Sequence, residues 1–214
     1  MSVFSAEQVR RRQRTLLIAM LLSLFAPIVT GIAVLQTNST TQLADFIRRS
    51  VELLALVVAY FVFRKVFGGS ALPDESRRRL ERVSGMTVSV ALIISGVVLL
   101  VFAFVRLGSF TPTGNVTLGL IIALLGVAFN GWFWRRYTLL NRERHDTVIN
   151  SQRNLYQAKT MVDVAVIAAL ASVALWPSSR FSGYVDGMGS LLVAVYMIWR
   201  SVQNAVETKT TRAL

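Results

Sequence analysis

The sequence contains no cysteine, only one histidine and few acidic residues. Of its 214 residues, 11 are Asp or Glu and 23 are Lys or Arg, so the formal net charge is +12. Without cysteine the chain can form no disulfide, thiolate metal site or thiol nucleophile. His145 falls in a basic stretch without a second histidine that could complete a zinc site. No nucleophile–base pair or phosphate-binding loop is recognisable in the apolar segments, so we expect no enzyme activity.

Charged residues are scarce overall, at 16% of the chain, whereas 54% of the residues are hydrophobic. Soluble domains carry about 25% charged residues, so this balance indicates a membrane protein. About 20 apolar residues are needed for a helix to cross a bilayer. Two apolar blocks reach that length, a third nearly does, and three need polar neighbours. The blocks cover 16–35, 53–63, 86–105, 116–134, 161–176 and 188–199. We predict an all-α integral membrane protein, a bundle of six transmembrane helices.

Basic residues are concentrated in alternate connections between these blocks. In one set of connections, 36–42, 106–115 and 177–186, the only basic residues are Arg106 and Arg180. This asymmetry predicts that both termini are cytoplasmic and suits a cell membrane protein. The expected organisation is a basic cytoplasmic tail at 1–14, a six-helix transmembrane domain at 15–206 and a short cytoplasmic tail at 207–214. Basic segments beside a bilayer attract anionic lipid headgroups, so we expect a lipid partner. Nucleic acid is not expected, because no aromatic-interleaved patch accompanies the charge.

Six charged residues lie within or beside the predicted second and fifth helices. We call them the charged band: Asp45, Arg48, Arg49, Glu52, Lys159 and Asp163. The four on the second helix fall within a stripe of about 100°, and Glu52 lies near the membrane midplane. Lys159 and Asp163 share one helix face as an i,i+4 pair. Residues 150–158 contain no Gly or Pro, so we expect the fifth helix to extend inward and carry this pair toward mid-membrane. Ionisable residues inside spans mark functional sites by default.

Each of these residues also has a reading without function. Lys159 could extend to the membrane interface and pair with Asp163. The four charges of the second helix could be incidental, although their density makes this less favoured. Asp186 is expected to begin the sixth helix as an N-cap. Arg49 and Asp186 are therefore secondary candidates, behind Glu52, Asp163, Arg48, Lys159 and Asp45.

At these positions the sequence resembles the cation diffusion facilitator family, which comprises zinc and manganese efflux proteins. The second helix of that family reads L-A-D-x-x-H-x-x-x-D-L-L, and this chain reads LADFIRRSVELL at 43–54. The fifth helix of the family carries H-x-x-x-D, and this chain reads KTMVD at 159–163. The resemblance implies six spans, cation transport, a homodimer and a metal site on the second and fifth helices. It covers only the membrane domain, because the usual C-terminal cytoplasmic domain is not expected here.

The resemblance assigns the four ligand positions to Arg48, Glu52, Lys159 and Asp163. Glu52 and Asp163 retain carboxylates, and these two are the metal-ligand candidates, with a divalent cation as possible substrate. The other two positions are cationic. A divalent ion about 4 Å from one guanidinium would be repelled by roughly 8 kcal/mol at an effective dielectric of 20. A zinc site of the family's kind is therefore not expected.

Three functions fit the sequence. The favoured one is a transporter of a cation, with Glu52 and Asp163 as its ion-binding acids. In the second, ion pairs between the acids and Arg48 and Lys159 lock a membrane module that transports nothing. In the third, Arg48 and Lys159 bind an anionic or zwitterionic solute for transport. The substrate is left open by the sequence.

Overall fold

The computed structural model describes residues 5–37, 40–68, 72–108, 116–175 and 180–210. These residues form six α-helices and no strand. The helices are α1 (Ala6–Thr37), α2 (Thr40–Phe67), α3 (Asp74–Gly108), α4 (Val116–Glu143), α5 (Thr147–Leu175) and α6 (Arg180–Thr210). The shortest has 28 residues, which at 1.5 Å per residue is longer than the hydrocarbon thickness. The all-helical prediction is confirmed.

Three of the helices are long and apolar enough to cross a membrane by composition alone. The qualifying segments are Ala6–Ile32, Asp74–Phe104 and Thr147–Ser172. α2 is not among them, and its apolar run contains three charged residues, Arg48, Arg49 and Glu52. The prediction of six spans and of cytoplasmic termini stays a prediction.

The polar segments before the third and fifth apolar blocks are helical, and the extension before the fifth block was expected. α3 already begins at Asp74, with Asp74 and Glu75 in its first turn, where acidic side chains favour the helix dipole. α5 begins at Thr147 and runs through 150–158, as expected. Asp146 caps it, since Asp146 Oδ1 accepts a hydrogen bond from the backbone N–H of Ile149 at 3.0 Å.

One expected helix boundary is wrong. Asp186 was expected to begin the sixth helix, but α6 begins at Arg180 and Asp186 lies in its second turn. The neighbouring glycines suggested a loop, yet a backbone in lipid gains from continuing its internal hydrogen bonds. Asp186 therefore has no N-cap role, and its side chain lies outside the described side chains.

The helices pack in three pairs, which are α3 with α6, α1 with α2, and α4 with α5. α5 also contacts α6, α3 and α2, and α2 contacts α3, so the three pairs form one bundle. A Cβ at Gly96 of α3 would lie 2.8 Å from Ile198 Cγ1 and 3.1 Å from the carbonyl oxygen of Ala194, both on α6. Small residues at such contacts allow two helices to approach closely in a membrane.

Outward-facing positions are occupied by large apolar side chains. Phe25 of α1, Phe104 of α3 and Leu192 of α6 are each more than 60% exposed. An apolar surface of this extent is typical of a protein solvated by lipid. Polar side chains such as those of Glu52, Asn154 and Asn204 are instead buried in the interior of the bundle.

Candidate functional site

Glu52 is the buried acid at the centre of the charged band. Its side chain is only 5% exposed. Oε1 accepts a hydrogen bond from Ser95 Oγ of α3 at 3.2 Å. Oε2 lies 3.4 Å from Nζ of Lys159 on α5. A carboxylate removed from water requires such partners. Through Glu52 the helices α2, α3 and α5 meet at one point.

Lys159 directs its ammonium group into the bundle. Side chains on a helix lean toward its N-terminus, which carries the Lys159 stem back over Tyr156, one turn earlier on α5. Nζ lies 5.0 Å from the centroid of the Tyr156 ring, within the range of a cation–π interaction. Tyr156 Oη in turn lies 3.2 Å from Ser23 Oγ of α1. The ammonium is thus held between Glu52 and an aromatic face, and the Lys159 side chain is 16% exposed.

Asp163 lies one turn beyond Lys159 and is held by α4. Its Oδ2 accepts a hydrogen bond from Asn130 Nδ2 at 2.6 Å. A Cβ at Gly126 would lie 2.8 Å from the same oxygen and 2.9 Å from Asp163 Cγ, so only glycine leaves room for the carboxylate. Gly126 and Asn130 are four residues apart and share one face of α4. The second acid of the site therefore occupies a notch on α4.

The remaining members of the band are described to different extents. The charges of Lys159, Arg48 and Glu52 all act on the Asp163 carboxylate, so these four residues form one electrostatic unit. Arg48 and Arg49 are both half-buried on α2. The side chain of Asp45 lies outside the described side chains.

Several residues of this region were not predicted from the sequence. Asn130 is a carboxamide within the otherwise apolar block 116–134, and that isolation was a usable signal. Ser95, Gly126 and Tyr156 gave no signal, because small and aromatic residues in a span usually serve packing. What Ser95 and Gly126 contact depends on how α3 and α4 approach the charged band.

A separate group of polar side chains ties α5 to α6 and α3, on the side of the band toward the N-terminus of α5. Arg200 Nη2 donates to Asn154 Oδ1 at 2.8 Å. Asn154 Nδ2 donates to Asn204 Oδ1 at 2.9 Å. Asn204 Nδ2 donates to Ser89 Oγ and to the carbonyl oxygen of Gly85, both at 2.9 Å. These bonds fix α5 against the α3–α6 pair, so the band is carried by an anchored helix.

The described side chains do not fit a zinc site of the kind implied by the resemblance. Among the residues described, no three His, Cys, Asp or Glu side chains come together where a metal ion could bind. Zinc favours histidine and cysteine ligands, whereas this site offers oxygens. Both oxygens of Glu52 are already engaged, one of them by a resident cation. A metal cargo would have to displace Lys159 first.

Comparison with known proteins adds the family to this geometry. Residues 16–211 match the family model of the cation efflux transmembrane domain. The chain belongs to the cation efflux family. The match covers nearly the whole chain and includes both helices that carry the band. A search of curated proteins returned no match.

Membership makes this cation efflux protein a membrane transporter of the cation diffusion facilitator type and agrees with the expectation of no enzyme activity. It also draws attention to the two cationic side chains, Arg48 and Lys159, because the resemblance assigns them to ligand positions. In this cation efflux protein an ammonium group is bonded to Glu52, at the helices where the family resemblance implies a metal site.

Proposed function

We propose that this protein moves a cation across the membrane, with Glu52 and Asp163 as its ion-binding carboxylates. Arg48 and Lys159 act as resident cations that the cargo must displace or bypass. The observation that carries the proposal is the Glu52–Lys159 ion pair, 3.4 Å long and nearly inaccessible to solvent. Removing two charges from water is costly, so such a pair inside a span is expected to serve transport.

The proposed cycle exchanges partners at the two acids. A cation entering the bundle competes with the Lys159 ammonium for Glu52, while Asn130 holds Asp163 on α4. Arg48 is then the counter-charge that moves between Glu52 and Asp163 as the protein alternates between its two faces. An acid left without a partner would cost about 3–5 kcal/mol, so opening is favourable only when cargo replaces the ammonium.

The proposed setting is the plasma membrane, with six spans, both termini in the cytoplasm, and the protein present as a homodimer. The basic distribution of the sequence supports this orientation. Anionic lipid headgroups are the proposed contact for the cytoplasmic arginines, and Arg11 is one of these, although it also pairs with Glu143 of α4 at 3.1 Å.

A non-transporting module is the competing function, because the same ion pair would lock α2 to α5 if it never opened. A carrier of an anionic or zwitterionic solute is less favoured, because Lys159 is already paired with Glu52. Flux decides between transport and the locked module.

The test reconstitutes the purified protein into liposomes and measures uptake of zinc, manganese, cobalt, magnesium, sodium, potassium and protons. We expect flux of at least one cation, reduced by about tenfold or more in Glu52→Gln and Asp163→Asn. Glu75→Gln is the matched control, because it removes an exposed carboxylate in the first turn of α3. Absence of flux for every ion tested would leave the locked module as the function.

A further inference from the structure

The Lys159 side chain resembles a bound ligand more than a structural lysine. Its ammonium carries one positive charge and lies between a carboxylate oxygen at 3.4 Å and an aromatic ring at 5.0 Å. We call this place, between Glu52 Oε2 and the Tyr156 ring, the ammonium position. A free monovalent cation would find the same contacts there if the lysine stem were absent.

The surroundings orient the ammonium position for a cation. Ser95 donates its hydroxyl hydrogen to Glu52 Oε1, which leaves Oε2 directed to the ammonium. Ser23 of α1 engages Tyr156 Oη and so fixes the ring whose face the ammonium meets. Each wall of the position is therefore held by a residue from a further helix, and such support is typical of a built site.

Charge limits which cations the position can take. Lys159 and Glu52 together are neutral, as are Arg48 and Asp163, so the four residues sum to zero. A monovalent cation that replaces the ammonium keeps the Glu52 pair neutral. A divalent cation would leave one positive charge uncompensated within reach of the Arg48 guanidinium, in a region of low dielectric.

The chemistry of the available ligands also favours a monovalent cation. The position offers a carboxylate oxygen and the face of a tyrosine ring. The carboxamide of Asn130 is committed to Asp163. Aromatic faces attract weakly hydrated cations such as ammonium ions. Zinc instead favours imidazole and thiolate ligands, but the chain has no cysteine and its one histidine, His145, precedes α5.

We infer that the ammonium position is a binding site for one monovalent cation, and that this cation is the cargo competing with Lys159. The inference rests on the proposed function, because it takes Glu52 as the ion-binding carboxylate. It adds the charge class of the cargo. The lysine acts as a tethered substitute that neutralises Glu52 whenever cargo is absent.

The experiment removes the tether and restores the cation from solution. In Lys159→Ala the position is vacant, and thermal unfolding in detergent is followed with methylammonium chloride or sodium chloride at on the order of 100 mM. We expect the midpoint to rise by about 5 °C over choline chloride at equal ionic strength, because the trimethylated ammonium of choline is bulkier than the lysine ammonium whose place it would take. Lys159→Ser is the second variant, should the alanine protein fail to fold.

Three matched variants make the result specific. Lys159→Met keeps the stem that fills the position, so it should show no response. The double variant Glu52→Gln with Lys159→Ala removes the charge that binds the cation and should also show none. Lys65→Ala removes an exposed lysine at the end of α2 and should behave as wild type.

A response that survives the loss of Glu52, or is absent from both Lys159→Ala and Lys159→Ser, would overturn the inference. A larger rise with magnesium or manganese at equal ionic strength would overturn the monovalent assignment. These outcomes are read from binding and not from flux. They are therefore distinguishable from a failure of the proposed transport, in which wild-type liposomes move no ion.

Discussion

At the scale of single residues, the partner of a charged side chain decides its role. Asp163 and Glu52 are both acids on helices of the bundle, yet Glu52 is bonded to a cation and Asp163 to the carboxamide of Asn130. In the proposed function the first releases its partner to a competing cation, whereas the second is held in place by a neutral donor. The two carboxylates of the band are therefore not equivalent.

Asp146 is a buried acid outside the helices, between α4 and α5. Burial raises the pKa of Asp146 above its usual value, and the hydrogen bond from the Ile149 N–H acts in the opposite direction. The folded chain thus binds the proton more tightly than the unfolded chain. The contribution of Asp146 to the free energy of unfolding is fully present below the unfolded pKa near 3.8. It is lost as the pH rises through the raised folded pKa.

Asp146→Asn tests this effect. Asparagine also caps helices well, and it buries no charge. We expect the unfolding midpoint of the variant at about pH 7 to be at least that of wild type, with a weaker decline from about pH 4 upward. Asp146→Ala loses the cap and should be less stable by about 1 kcal/mol. Equal losses in the two variants would contradict the burial argument.

At the scale of helices, α3 and α6 depend on glycine where they pack against each other. A methyl group at Gly96 would press on the Ala194 carbonyl, which cannot move without its helix. At Gly131 of α4 the nearest atom to an added Cβ is Thr160 Cγ2 at 3.9 Å, an ordinary contact. The same substitution therefore has opposite expected effects at two glycines.

We expect Gly96→Ala to lower the free energy of unfolding. Overpacking costs about 1–3 kcal/mol, and the better helix propensity of alanine offsets about 1 kcal/mol of that. Gly131→Ala, the matched control, should be neutral or stabilising by up to about 1 kcal/mol. Thermal unfolding in one detergent compares them. A stable Gly96→Ala protein would mean that α3 and α6 are further apart than described.

At the scale of the whole molecule, the orientation of the protein in the membrane is predicted from the distribution of its basic residues. Ser5 precedes α1, and Ser76 lies in the first turn of α3, with both exposed. Two helices separate them along the chain, so they should face the same side. Ser39 falls between α1 and α2, outside the described residues, and the sequence predicts that it faces the opposite side.

The absence of native cysteine makes this orientation directly measurable. Single cysteines replace Ser5, Ser39 and Ser76 in turn, and intact cells are treated with a membrane-impermeant maleimide. We expect labelling at position 39 only, with 5 and 76 labelled after the membrane is opened. Labelling of 39 and 76 from the same side would mean that α2 does not cross the membrane.

The helices and the location of the charged residues could be predicted from the amino-acid sequence alone. Apolar blocks are a local signal, because each helix forms its own backbone hydrogen bonds in lipid whatever it packs against. The inward extension of α5 was predicted from the absence of Gly and Pro. The start of α6 was not, because glycine is tolerated within membrane helices and gives no reliable boundary.

The contacts of each charged side chain could be read only from the tertiary structure. Ser95, Asn130 and Gly126 lie on helices that carry no member of the charged band, so no spacing along the chain links them to Glu52 or Asp163. That link depends on which helix faces meet, and packing of the whole bundle determines those faces. The charged band was therefore predictable as a set of residues, but its division into a cation-bound Glu52 and an amide-bound Asp163 was not.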